Sequence, residues 1–266
     1  MDIVGKVIVV TGAGNGIGRE VVLTLLSKGA RVAAVDISEG GLAETASLAG
    51  AGNHMSTHVV DITDREAVLA LPDLVMTAHG RVDGLVNVAG IVHDFKPIAE
   101  LEFAEIERVM DVNFWGTVNT TKAFLPILDS LPAASLVNVT SMGGLVPFPG
   151  QSAYGASKAA VKLFTEGLIA EHEGRPLEVS VVFPGGIATD ILGNSGVERP
   201  VTADAEGSTA KMTSPQEAAR LIVSAVETGK PRVVIGSDAK LIDRLGRIVP
   251  AKAIPFIAKK MRALTE

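Results

Sequence analysis

Short β-branched runs alternate along the chain with longer stretches whose apolar residues recur every three or four positions. The runs fall at 7–10, 32–35, 55–60, 82–86, 135–139, 179–183 and 232–235. Most are apolar throughout rather than alternating, as in strands covered on both faces. Between them the periodicity predicts helices over 16–27, 41–48, 64–79, 103–128, 153–172 and 214–228, the fourth bending near 113–116. Strand then helix, repeated about six times, predicts an α/β fold: a doubly wound parallel sheet of about seven strands with right-handed crossovers. No internal repeat, low-complexity tract or Pro/Gly/Ser linker divides residues 1–266, so one domain is expected.

Two stretches break the rhythm. Residues 188–213 lack periodicity and are rich in Gly, Ser, Thr and Asp, the composition of a substrate loop or lid. Residues 240–266 form a basic, apolar tail, with Lys240, Arg244, Arg247, Lys252, Lys259, Lys260 and Arg262 against Asp243 and Glu266. Leu241, Ile242, Leu245, Ile248 and Val249 recur at helical spacing, and Ile254, Phe256, Ile257 and Met261 continue the apolar content. A basic amphipathic helix can lie on an anionic membrane surface. The alternative is an ordinary helix packed over the substrate mouth or a neighbouring subunit. Pro250 and Pro255 favour the packed reading, because they are expected to split the stretch into short pieces.

Composition narrows the class. Hydrophobic residues make up 47% of the chain, enough for a sizeable core, and a net charge of −6 argues against nucleic-acid binding. There are no cysteines, which excludes disulfides, thiolate nucleophiles and cysteine zinc sites and fits a reducing compartment. The five histidines show no strong ligand spacing, and no metal is expected. The N-terminus lacks a basic region before an apolar core, and no apolar run is long enough to span a bilayer, so a cytoplasmic protein is expected.

The first strand leads into Thr11-Gly12-Ala13-Gly14-Asn15-Gly16-Ile17-Gly18 and then a helix. Glycines there let backbone N–H groups approach a pyrophosphate, and the helix N-terminus favours its charge. Asp36 ends the second strand 18 residues after Gly18, close to the roughly 20-residue separation of a ribose-binding acid. A carboxylate there accepts both ribose hydroxyls and repels a 2′-phosphate. Ile37 follows it, and Asn15 stands where a basic residue would meet that phosphate, so NAD is favoured over NADP. Asp61, followed by Ile62, closes the third run, where it either bonds adenine or caps the next helix. Asn87, with Ala89-Gly90, closes the fourth at the same sheet edge.

Tyr154, the only tyrosine, precedes Lys158 by four residues, one helical turn. An ammonium near a phenol is expected to lower its pKa from about 10 and make an acid/base unit. Ser141 ends the fifth strand, where its hydroxyl can bond a substrate oxygen or cap a turn.

Thr11-Gly12-x-x-x-Gly16-x-Gly18, Asp61, Asn87-x-Ala89-Gly90, Asn113, Ser141, Tyr154-x-x-x-Lys158 and Pro184-Gly185 with Thr189 together resemble the classical short-chain dehydrogenase/reductase family, in its order and spacing over about residues 5–236. The resemblance implies a single Rossmann-type domain, a homodimer or homotetramer, and NAD(P)-dependent interconversion of an alcohol and a carbonyl. It implies a catalytic set of Asn113, Ser141, Tyr154 and Lys158, with Lys158 also holding the nicotinamide ribose and Asn113 a relay water. Pro184, Gly185, Ile187 and Thr189 would line the nicotinamide. Met142 and Gly186 are small departures on the substrate side. Met142, Leu145, Val146, Phe148, Gln151, Phe183, Ile191 and Leu192 make a mostly apolar substrate wall without a cationic clamp, which suits a secondary alcohol or ketone on an apolar small molecule. The alternative is a catalytically silent NAD-binding sensor or scaffold, though such a protein would be expected to have lost Tyr154 or Lys158. Nucleotide-sugar epimerisation or dehydration is disfavoured by the lack of a sizeable C-terminal substrate domain.

Overall fold

The computed structural model of the protein describes residues 1–189, 191–195, 197 and 212–265. Most of the expected 188–213 lid and the side chain of Leu192 lie outside them. Seven parallel strands form one sheet: β1 (Val7–Thr11), β2 (Arg31–Asp36), β3 (Met55–Val59), β4 (Gly84–Asn87), β5 (Ala134–Val139), β6 (Leu177–Pro184) and β7 (Arg232–Ile235), ordered β3-β2-β1-β4-β5-β6-β7. The helices are α1 (Gly16–Ser27), α2 (Glu39–Ala49), α3 (Arg65–His79), α4 (Phe103–Met110), α5 (Gly116–Asp129), α6 (Ser152–Glu171), α7 (Ile191–Asn194), α8 (Pro215–Thr228), α9 (Ser237–Ile248) and α10 (Pro250–Thr265).

Strand period two divides the core between the faces. Ile8 and Val10 of β1 join α1 and α8, through Val21, Val22, Leu25, Ile222 and Val223. Val7 and Val9 join α3, α5 and α6 on the other side, through Val68, Leu71, Phe124, Leu128 and Leu168. Each such side chain contributes about 1.5–3 kcal/mol when fully buried, so β1 is apolar on both faces from Val7 to Val10. The edge strand β3 differs, since its residues are only partly covered, with Val59 exposed.

Local chemistry sets the helix ends. Ser38, Asp64 and Ser214 accept first-turn backbone N–H groups of α2, α3 and α8, and Gly50, Gly80 and Gly229 end those helices in the left-handed conformation. The expected bend between α4 and α5 is a π-turn at Asp111–Trp115, a distortion common at functional sites. Pro250 separates α9 from α10 as expected, because the residue before a proline is forced out of the helical region. Pro255 does not divide the tail further. It lies inside α10 on the exposed side, where water can satisfy the carbonyl that its missing N–H leaves free.

The central strands are pinned from below by Asp83, which is almost fully buried. It accepts the Val7 N–H at 3.0 Å and pairs with Arg81 and Lys6. Burial pushes its carboxyl up, but the Arg81 guanidinium, the Val7 N–H and Lys6 outweigh this and hold it below the usual carboxylate range. Asp83→Ala should cost about 3 kcal/mol in chemical denaturation at neutral pH, with Val7 and the two cations left unpaired. Because the folded pKa is depressed, the wild-type advantage should be complete above about pH 4 and fade as pH falls further. A difference that is small at pH 7 or grows on acidification would contradict this role.

Candidate active site

The strand order reverses between β1 and β4, which opens a crevice at their carboxyl ends. A cavity of about 540 Å³ lies there. Gly12, Asn15, Gly16, Ile17, Gly18, Asp36, Ile37, Asp61, Ile62, Ala89, Gly90 and Thr189 all line it. Gly12 has a positive φ of 69°, and a Cβ on Gly18 would stand 1.9 Å from the Gly12 carbonyl oxygen, so the loop folds tightly onto the first turn of α1. Asn15 precedes α1 without a side-chain cap, and the first turn carries no acid. Its amides are therefore available for an anion, as a pyrophosphate site requires.

Asp36 accepts the Gly14 N–H at 2.8 Å and the Ser38 N–H at 2.9 Å. A Cβ on Gly14 would lie 2.9 Å from the carboxylate carbon. Gly14 thus belongs to the site as the residue that fixes the carboxylate, although it falls outside the Gly12/Gly16/Gly18 set. Asp61 accepts the N–H and hydroxyl of Thr63 at 2.8 Å each. It shapes the turn and lines the cavity, while the cap of α3 is Asp64.

Asn87 differs from expectation, because it does not line the cavity. Its side chain bonds Asn138 at 2.9 Å and Thr120 at 2.8 Å, and Asn138 continues to Thr165 at 3.0 Å. This buried ladder ties the ends of β4 and β5 to α5 and α6. Buried amides need such partners, so Asn87 acts on the scaffold. Thr11 supports the same turn, its hydroxyl accepting the Val88 and Ala89 N–H groups.

Ser141, Tyr154 and Lys158 come together between the end of β5 and α6. Ser141 accepts the Gly143 N–H at 3.1 Å. Lys158 is buried, with Nζ directed at the Val139 carbonyl at 3.4 Å. Asn113, in the π-turn, is fully buried: Oδ1 accepts the Ile91 N–H, and Nδ2 donates to the Ile91 carbonyl and the Ser157 hydroxyl. A Cβ on Gly90 would fall 2.8 Å from Lys158 Nζ and 3.0 Å from Asn113 Oδ1. These groups therefore converge on the narrow space left by that glycine.

The charge balance corrects the simple picture of an ammonium lowering a phenol pKa. Burial pushes the Tyr154 phenol up, and the Ser141 hydroxyl pulls against it. Burial lowers the Lys158 ammonium to about 8. Desolvation disfavours both charged forms, and it is the leading cause at each.

The short chain dehydrogenase family model matches residues 6–199. The chain belongs to this family. It is 43% identical over 255 residues to the putative oxidoreductase SadH of Mycobacterium tuberculosis, over 92% of this chain and 91% of SadH. The fold matches a short chain dehydrogenase from Burkholderia cenocepacia in complex with NADP, with 28% identity, TM-score 0.81 and coverage of 97% and 99%. It also matches a short chain dehydrogenase/reductase from Burkholderia phymatum in complex with NAD, with 25% identity, TM-score 0.83 and coverage of 96% and 97%. The protein is thus an oxidoreductase of the short-chain dehydrogenase family, whose fold binds a nicotinamide cofactor.

Other residues of this dehydrogenase fall outside the cavity lining. Pro184 ends β6, the Gly185 N–H bonds the Ile235 carbonyl, and Ile187 bridges to Thr213. Asp238, at the start of α9, accepts the Gly186 N–H at 2.7 Å and so fastens this loop to the tail. That contact had no signal in local sequence, because 52 residues separate the partners. Phe183 is no part of a substrate wall. It is fully buried, with the Arg232 guanidinium 4.2 Å from its ring centroid. Val146 is buried too, covered by Ala253 and Ile257 of α10 with Leu145 and Phe148 alongside.

Gly90→Ala should push Lys158 Nζ or Asn113 from place and lower kcat about 100-fold, the scale of an ångström-sized displacement. The fold should remain intact by circular dichroism. A Gly90→Ala protein with wild-type kcat would show that the Lys158–Asn113 spacing does not matter.

Proposed function

We propose that the protein is an NAD-dependent dehydrogenase or carbonyl reductase that interconverts a secondary alcohol and a ketone on an apolar small molecule. The reading is carried chiefly by the convergence of Tyr154, Ser141, Lys158 and Asn113 beside a cavity fitted for a dinucleotide. The loop at Gly12–Gly18 would hold the pyrophosphate and Asp36 the adenosine ribose. Asp61 and Ile62 would border the adenine, and Lys158 would reach the nicotinamide ribose. When bound, the nicotinamide supplies the hydride acceptor or donor.

In carbonyl reduction, the Ser141 hydroxyl bonds the substrate oxygen and steadies its growing negative charge. The Tyr154 phenol delivers its proton to that oxygen. Lys158 and Asn113 then restore the proton from solvent through the space at Gly90. In the reverse direction Tyr154 takes up the alcohol proton. A phenol pushed up by burial is a proton donor at neutral pH, so alcohol oxidation should rise with pH while reduction is favoured at lower pH.

NAD is preferred because Asp36 is held with its carboxylate at the cavity edge and Ile37 follows it, exposed, where a 2′-phosphate would need a cation. Assembly into a homo-oligomer is supported by exposed Phe103, Trp115 and Leu163 on α4, the π-turn and α6, since neighbouring apolar side chains on a surface favour association.

Tyr154→Phe should reduce kcat by about 100-fold or more while leaving cofactor affinity in place; retention of a tenth of the wild-type rate would exclude Tyr154 as the proton donor. The KM for NAD should be at least about tenfold below that for NADP, or about 1.4 kcal/mol. Equal values would remove the role assigned to Asp36.

A further inference from the structure

The two terminal helices are amphipathic in a sense that packing leaves incomplete. Their inner side is settled, since Ile242, Leu245, Ala253 and Ile257 rest on Leu145, Val146 and Phe148. Large apolar residues stay exposed around that packed side: Leu241 (52%) and Ile248 (77%) on α9, and Ile254 (53%) and Phe256 (51%) on the two flanks of the Ala253–Ile257 stripe of α10. Leu241 and Ile248 lie two turns apart on α9, with Arg244 between them on the same exposed side.

Charge says what this face suits. Residues 237–266 hold seven basic and three acidic side chains, a local excess of positive charge in a chain whose net charge is −6. The acids of α9 are engaged inward: Asp238 accepts the Gly186 N–H, and Asp243 holds Arg232 and Arg247. Among the described residues, Lys240, Arg244 and Lys259 are exposed and enter no ion pair. Two copies meeting symmetrically through this face would oppose like charges. An anionic lipid surface satisfies both features, taking apolar side chains below the headgroups and cations beside them.

We propose that the outer face of α9 and α10 docks the protein on an anionic phospholipid surface. No helix among the described residues is long and apolar enough to cross a membrane, so the contact is peripheral. Since the inner face covers the segment after Ser141, docking places the substrate side against the lipid, where an apolar substrate would concentrate.

The full chain is tested by flotation with vesicles of phosphatidylglycerol and phosphatidylcholine, and with phosphatidylcholine alone, alongside sedimentation velocity without lipid. The protein should float with the anionic vesicles and remain behind with the neutral ones. Binding should be lost at about 0.5 M salt, where screening confines charges to a few ångströms. Arg244→Gln with Lys259→Gln should weaken partitioning about 25-fold, at roughly fivefold per charge near the surface. Phe256→Ser with Ile254→Ser should also abolish flotation, while the sedimentation coefficient and dehydrogenase turnover in solution stay at wild-type values. No flotation of the wild type, equal flotation on both lipids, or unchanged flotation of either double variant would overturn the proposal. So would variants that dissociate an oligomer without altering flotation, which would assign the face to a second copy of the chain.

Discussion

The buried ammonium of Lys158 is the constraint from which the rest of the site follows. Lys158 is withdrawn from water, and among the described residues it pairs with no carboxylate, so oriented oxygens such as the Val139 carbonyl face its charge. The Val139 carbonyl accepts from Nζ, and Asn113 Oδ1 borders the same space beside Gly90, so both depend on backbone placement. Asn113 reaches its position because the π-turn at Asp111–Trp115 redirects it, and its amide is then locked by Ile91 and Ser157. Gly90 must lack a side chain because Nζ and Oδ1 border the space one would fill. Burial lowers the Lys158 ammonium to about 8, a range in which a group can exchange protons near neutral pH.

The same economy of placement joins scaffold to chemistry. The Asn87–Asn138–Thr165 ladder, with Thr120, is buried and stands outside the lining of the 540 Å³ cavity, yet it fixes α5 and α6 against the strand ends. Those helices carry the residues around Asn113 and the Tyr154–Lys158 pair. At the other side, Asp36 is held by Gly14 and Ser38 before any ligand arrives, so the carboxylate is pre-oriented rather than recruited. The tail adds a third support through Asp238, which fastens the Gly185–Gly186 loop to α9.

Much of this was legible along the chain because it depends on short-range rules. Continuous apolar runs marked buried strands, and the two partly covered strands, β3 and β7, lie at the two edges of the sheet. Gly12, Gly16, Gly18 and Asp36 could be placed because a strand, a tight loop and a helix must follow in sequence to build a phosphate site. Tyr154 and Lys158 share a helix, so their spacing alone put them on one face. Phe183 was misplaced, and the side-chain partners of Asn87 went unseen, for a common reason: a residue type and a position at a strand end do not say which side of the sheet, or which buried partner, claims the side chain.

By itself, then, the sequence determined the alternation of strands and helices, the glycine loop ahead of α1 and the one-turn spacing of Tyr154 and Lys158, all set by neighbours within a few turns. Only the tertiary structure decided what depends on distant parts meeting in space. It made burial the leading influence on Tyr154 and Lys158, since desolvation depends on everything packed around a group. It turned Asn87 into a strut through Asn138, 51 residues away, and brought Asp238 to a loop that ends β6. It also resolved the tail, which the pattern left divided between packing and lipid. One helical face covers Val146 and the other remains bare, because a helix has two sides and the core can bury only one.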